Sequence, residues 1–147
     1  MASAQRPIYV AEPPAPFAVR QPAVIDCSLL CAVLFDEPER EQARALMVGK
    51  WLCAPRLLDH EIVSVAITKA RRGLPADDAR QALAEYAEIP IEIADPLRHE
   101  QFELALRYGV SGYDAAYLWL TGELRAPLLT LDKKLADAAR RHLESLA

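Results

Sequence analysis

A single α/β domain, with a mostly parallel sheet covered by helices on both faces, is predicted by three observations. Short apolar runs such as Ala23-Val24-Ile25, Trp51-Leu52-Cys53-Ala54 and Leu128-Leu129-Thr130-Leu131 alternate with longer segments whose apolar residues recur at helical spacing, the pattern of βα units. The length, 147 residues, suits one domain with a proper core. Two acids, Asp26 and Asp132, directly follow apolar runs, so each stands at the carboxyl end of a strand, the rim where sites collect in parallel sheets.

Residues 1–22 hold five of the eleven prolines and show no periodicity. This proline-rich leader is either extended and poorly ordered or packed along the domain through Ile8, Tyr9, Val10 and Phe17. The folded domain is placed at residues 23–147. Its first strand is Ala23-Val24-Ile25, and Ser28 is the expected N-cap of a helix carrying Leu29, Leu30, Val33 and Leu34. Asp36-Glu37-Pro38 turns the chain into a helix lined by Ala43, Leu46 and Met47 and ended by Gly49. Trp51-Leu52-Cys53-Ala54 is the second strand. A helix over 57–72 follows, its apolar arc made by Leu58, Ile62, Val65, Ala66 and Ala70. Glu61 stands at the border of that arc, and Asp59, nearer the start, is expected to cap the helix or face its dipole.

Pro75 starts a helix through Leu83 and Tyr86, and Ile89-Pro90-Ile91-Glu92-Ile93 alternates like an edge strand. Asp95-Pro96 opens a helix through Phe102, Leu106 and Tyr108 that Gly109 stops. The Asp114 helix then ends near Gly122, a strand runs over 128–131, and the last helix covers about 133–143. There is no internal repeat.

Composition narrows the function classes. No apolar run approaches the ~18 residues that cross a bilayer, and the N-terminus lacks a signal-like apolar stretch, so the expected place is the cytosol, away from any membrane. Cys27, Cys31 and Cys53 make no Cys-x-x-Cys pair and read as buried free thiols. Five glycines leave neither a P-loop nor a dinucleotide fingerprint. A phosphatase with an Asp-x-Asp nucleophile is disfavoured, since Ser28 follows where the second Asp would stand. A phosphoacceptor receiver would leave Glu61 and Asp114 without a role. The net charge of −4 argues against gripping nucleic acid through a bulk positive field, although offsetting four acids would bring it to zero.

Those four acids carry the chemistry. Asp26 and Asp132 close strands, while Glu61 and Asp114 lie near the starts of helices leaving the same rim. Carboxylates converging beside hydrocarbon repel one another unless hard divalent cations lie between them. The set offers oxygen only, which suits Mg²⁺ or Mn²⁺ and hydrolysis of a phosphodiester. Ser28 and Thr130, each two residues from a key Asp, are placed to orient ligands or water. Trp51, Trp119, Tyr113 and Tyr117 are either base-stacking faces or core and interface. Arg71, Arg72, Lys133, Lys134, Arg140 and Arg141 are either guides for RNA or solvated charges, and His60, His99 and His142 are expected at the surface.

Val24-Ile25-Asp26-Cys27-Ser28, Leu57-Leu58-Asp59-His60-Glu61-Ile62, Gly112-Tyr113-Asp114-Ala115-Ala116-Tyr117-Leu118 and Leu129-Thr130-Leu131-Asp132 resemble, in order and with fitting gaps, the four motifs of PIN-domain ribonucleases, and in particular VapC-type toxins of bacterial toxin–antitoxin pairs. The resemblance spans about residues 23–141. It implies a three-layer α/β/α sandwich with a mostly parallel four- to five-stranded sheet, metal-dependent endonucleolytic cutting of RNA, a homodimer, and inhibition by a small antitoxin whose tail fills the cleft. By motif it makes Asp26, Glu61, Asp114 and Asp132 the metal-site acids, with Ser28 and Thr130 as supporting polar groups. Two features depart from the family: the leader is longer than usual, and the chain ends soon after its last helix, so the family's fifth strand is expected to be short or absent. The rival reading is a PIN-fold module that holds RNA or a protein without cutting.

Overall fold

The structure is a computed structural model that describes residues 3–12 and 21–147. In chain order the elements are β1 (Tyr9–Ala11), β2 (Pro22–Ile25), α1 (Cys27–Leu34), α2 (Arg40–Met47), β3 (Trp51–Ala54), α3 (Leu57–Arg71), α4 (Ala76–Glu88), β4 (Glu92–Ile93), α5 (Arg98–Tyr108), α6 (Gly112–Leu124), β5 (Leu128–Thr130) and α7 (Lys133–Ser145). The sheet runs β1-β5-β2-β3-β4, with every neighbouring pair parallel except β1 with β5.

The two-residue period of the strands makes the three layers. Ala23, Ile25, Leu52, Ala54 and Leu129 point to one side, where they meet Leu29 and Leu30 of α1, Leu58 and Ile62 of α3, and Ala82 of α4. Val24, Cys53 and Leu128 point to the other, against Leu104 of α5, Leu118 of α6, and Leu135 and Ala139 of α7. Parallel strands buried on both faces are apolar throughout, which is why these runs show no polar alternation. Among the described residues no helix is long and apolar enough to cross a membrane.

Several expectations change. The fifth strand exists, but the leader supplies it: Tyr9 pairs with Thr130, Val10 with Leu129 and Ala11 with Leu128. Leu128 and Leu129 are buried, so an open edge beside them would leave backbone groups unpaired next to apolar surface; β1 closes it. Ile8 and Val10 pack on the core as the second reading of the leader required, whereas Phe17 lies outside the described residues. The N-cap of α1 is Asp26 rather than Ser28: its carboxylate accepts from the Leu29 amide at 3.1 Å, and Ser28 lies inside the first turn. Of the two roles expected of Asp59 the second holds: it does not cap α3 but lies in the first turn, facing the helix dipole, and accepts from the Tyr86 hydroxyl at 2.7 Å. α6 runs past Gly122 to Leu124.

His142 is buried, not superficial. Its ring lies against Gly122, where an added Cβ would fall 2.4 Å from Nε2, and its Nδ1 is 3.1 Å from the Tyr108 hydroxyl. The signal was present, since His142 falls two turns after Leu135 on the apolar stripe of α7.

Candidate metal centre

Asp26 ends β2 and caps α1, while Asp132 ends β5 and caps α7 by accepting from the Leu135 amide at 3.2 Å. Because β2 and β5 are adjacent and parallel, their ends share one rim. Ser111 caps α6, accepting from the Asp114 amide at 3.0 Å, and so sets Asp114 in the first turn. Glu61 sits one turn into α3 on its buried border. All four acids line a single cavity of about 390 Å³, together with Ser28, Cys27, Cys31, Tyr117, Glu37, Arg6, Val65 and Leu135.

Their surroundings differ. Asp26 is buried and accepts from Ser28 Oγ at 2.7 Å and from Thr130 Oγ1. Those hydroxyls in turn accept the amides of Leu131 and Asp132, both at 2.9 Å, so the two Asp-bearing strand ends are bonded through Ser28 and Thr130. Glu61 accepts from the buried Tyr117 hydroxyl at 2.7 Å. Burial pushes the Asp26 carboxyl above the usual range, against the hydroxyl and amide bonds that pull it down, and the Asp132 charge adds to the rise. Glu61 is raised by burial, with Asp26 and Asp114 adding and Tyr117 opposing. Asp114 is raised by burial and by Asp132, while Ser111 and Lys134 oppose. Among the described residues none of the four acids is in an ion pair. The protein gathers negative charge here, with Lys134 acting on Asp114 from outside the cavity lining and Arg6 within it.

The donor set fits a hard divalent cation, for it presents carboxylate and hydroxyl oxygens with no imidazole. As they stand, no three His, Cys, Asp or Glu side chains among the described residues converge tightly enough to hold an ion by themselves. Cys27 and Cys31 have sulfurs 3.6 Å apart; their mutual contact and burial push the Cys27 thiol up, so it stays protonated.

Other candidates separate around this cavity. Tyr113 is exposed and, with His60, Leu57 and Ser64, lines an adjoining space of about 560 Å³ that shares Cys27, Glu61 and Val65 with the first. Trp51 starts β3, opposite Pro22, its Nε1 donating to Glu92 at 3.0 Å. Lys134 is near enough to act on Asp114, whereas Lys133 and Arg140 both pair with Asp137. Arg141 lies over the Tyr108 ring beside a third cavity, which contains His99, Trp119 and His142 and none of the four acids. Two residues were not anticipated. Tyr117 was visible only as an aromatic of unassigned role, and Arg6 had no signal at all, being one charge in an aperiodic leader.

A family model described as PIN domain matches residues 23–141. The chain is 32% identical over 120 residues to Ribonuclease VapC3 of Pyrobaculum aerophilum, covering 78% of this chain and 92% of that protein. It is 31% identical over 118 residues to Ribonuclease VapC9 of Mycobacterium tuberculosis, covering 80% of this chain and 91% of that one. The crystal structure of PAE2754 from Pyrobaculum aerophilum has a similar fold, with a TM-score of 0.65 at 22% identity, over 88% of this chain and 98% of that one.

Proposed function

The chain belongs to the PIN-domain family, and from that premise we propose that it is a divalent-metal-dependent endoribonuclease, the toxin of a toxin–antitoxin pair. The observation that carries this reading is the convergence of Asp26, Glu61, Asp114 and Asp132 on one cavity, none of them in an ion pair among the described residues. Those four carboxylates would hold the ion, with Mg²⁺ or Mn²⁺ the best match to oxygen donors. When bound, the ion would lower the pKa of an attacking water and offset charge on the departing oxygen of a phosphodiester.

The chain's own part is to fix the carboxylates. Ser28 and Thr130 hold Asp26 at both oxygens, Tyr117 holds Glu61, and the α7 cap holds Asp132. Tyr113 offers a base-stacking face next to the cavity. A small antitoxin would act by covering this cleft in the cytosol. Phe102 and Leu106, exposed one turn apart on α5, supply apolar surface for a homodimer.

The protein, purified away from any partner, is expected to cut a structured RNA with Mg²⁺ or Mn²⁺ and to stop in chelator. Asp114→Asn is expected to abolish cutting, a loss of at least about a hundredfold, with the fold intact by circular dichroism. The rival is a silent module that holds RNA or a protein. A folded wild type that stays inert with both ions across several RNA classes would establish that reading instead.

A further inference from the structure

We propose that Arg6, delivered by the N-terminal segment, contacts a phosphate of the RNA strand at the acid-lined cavity and is held in position by the buried Glu39. This assignment rests on the ribonuclease reading above. Arg6 is the one lysine or arginine among the residues lining the cavity that holds Asp26, Glu61, Asp114 and Asp132. The antiparallel register brings it there. With Tyr9 opposite Thr130, the chain before Tyr9 continues past the carboxyl end of β5, toward the rim that carries Asp132 and Asp26. A parallel β1 would have carried Arg6 to the opposite rim.

Its anchorage is specific. Glu39, fully shielded from solvent, accepts the Arg6 backbone amide at 2.5 Å and Nε at 3.0 Å. Nη2 pairs with Glu37, which also binds Lys69 at 3.2 Å. Nη1 has no partner among the described residues, and 57% of the side chain is open to solvent. The guanidinium is thus fixed along one edge and free along another, the arrangement in which an arginine can keep a carboxylate and still meet a phosphate.

A plug that silences the cavity is a different device, and the contacts speak against it. Arg6 pairs with Glu37 and Glu39 and with none of the four acids. A polyanion approaching an acidic cleft on a chain of net charge −4 gains from a cation at the cavity wall, and Arg6 lines that wall while Lys134 acts on Asp114 from nearby.

The test separates a phosphate contact from a structural pin. In Arg6→Gln with Glu39→Gln the buried hydrogen bonds persist without charge, so the melting temperature is expected to stay near wild type. The KM for RNA is expected to rise about tenfold with kcat little changed, alike for all RNA sequences, and the slope of log affinity against log salt to flatten by about 0.7. Arg80→Gln with Asp77→Asn on α4, an ion pair outside the cavity lining, removes the same two charges and is expected to change neither quantity. If the double variant does not fold, Arg6→Lys decides: its single ammonium keeps Glu39 but cannot also reach a phosphate, so KM is again expected to rise severalfold. Unchanged KM and salt slope in the folded variant would make Arg6 a pin and overturn the assignment while wild-type cutting stands. A wild type that neither binds nor cuts RNA would remove the ribonuclease reading and this assignment together.

Discussion

Asp26 does two jobs with one carboxylate. It caps α1 and it lines the acidic cavity, so both oxygens are already engaged by Leu29, Ser28 and Thr130. Replacing it by Asn would turn a donor toward the Thr130 hydroxyl and break that pattern, which makes Asp114 the cleaner position for neutralising a charge. The sign of the effect follows from the raised carboxyls. A carboxyl raised in the folded state binds its proton more tightly there than in the unfolded chain. Its contribution to stability is therefore present below the ordinary carboxylate range and is lost as pH rises through the raised value. Asp114→Asn in chelator is accordingly expected to melt a few degrees above wild type at neutral pH, the difference vanishing as pH falls toward the carboxylate range. Added Mg²⁺ should reverse the order at neutral pH by stabilising only the wild type. Thermal melts of both proteins across a pH series, with and without Mg²⁺, check this; a difference independent of pH would contradict it.

Elements meet closely where α6 crosses α7. Gly122 has ordinary helical geometry, and its requirement is space: an added methyl would strike the His142 ring, which Tyr108 holds in place. Gly122→Ala is expected to destabilise the fold by about 1–3 kcal/mol in chemical denaturation, despite the better helix propensity of alanine. In a His142→Ala background the obstacle is gone, and the same change should become neutral or stabilising by up to about 1 kcal/mol. His142 itself is lowered by burial and by Arg107, so its contribution is present above the ordinary histidine value and is lost as pH falls through the depressed one. The position was missed because a histidine read singly is usually superficial; the stripe on α7 was the better guide.

Over the whole molecule, the two ends of the chain complete the site together. β1 covers the edge of β5 and Arg6 answers the buried charge of Glu39, so the leader stabilises the sheet and reaches the cavity in one stretch. Removing residues 1–12 is expected to lower the melting temperature, because Glu39 loses its ion-pair partner and β5 its antiparallel neighbour. The opened β5 edge should promote association. A lower melting temperature and a larger species in size-exclusion chromatography check this, and Glu39→Gln in the truncated chain should recover part of the melting temperature. Retention of the wild-type melting temperature would show that the leader is dispensable.

What the amino-acid order determined by itself was everything governed by near neighbours: the alternation of strands and helices, the layers on either face, and the acids at strand ends and helix starts. Asp26, Glu61, Asp114 and Asp132 were legible because each is a carboxylate set against an apolar run, a conflict visible within a few residues. The tertiary structure alone decided which hydroxyl holds which acid, that Tyr117 serves Glu61, and that an antiparallel β1 carries Arg6 to the acidic rim. The direction in which a strand joins a sheet depends on pairing between distant backbone groups, and local composition does not encode it.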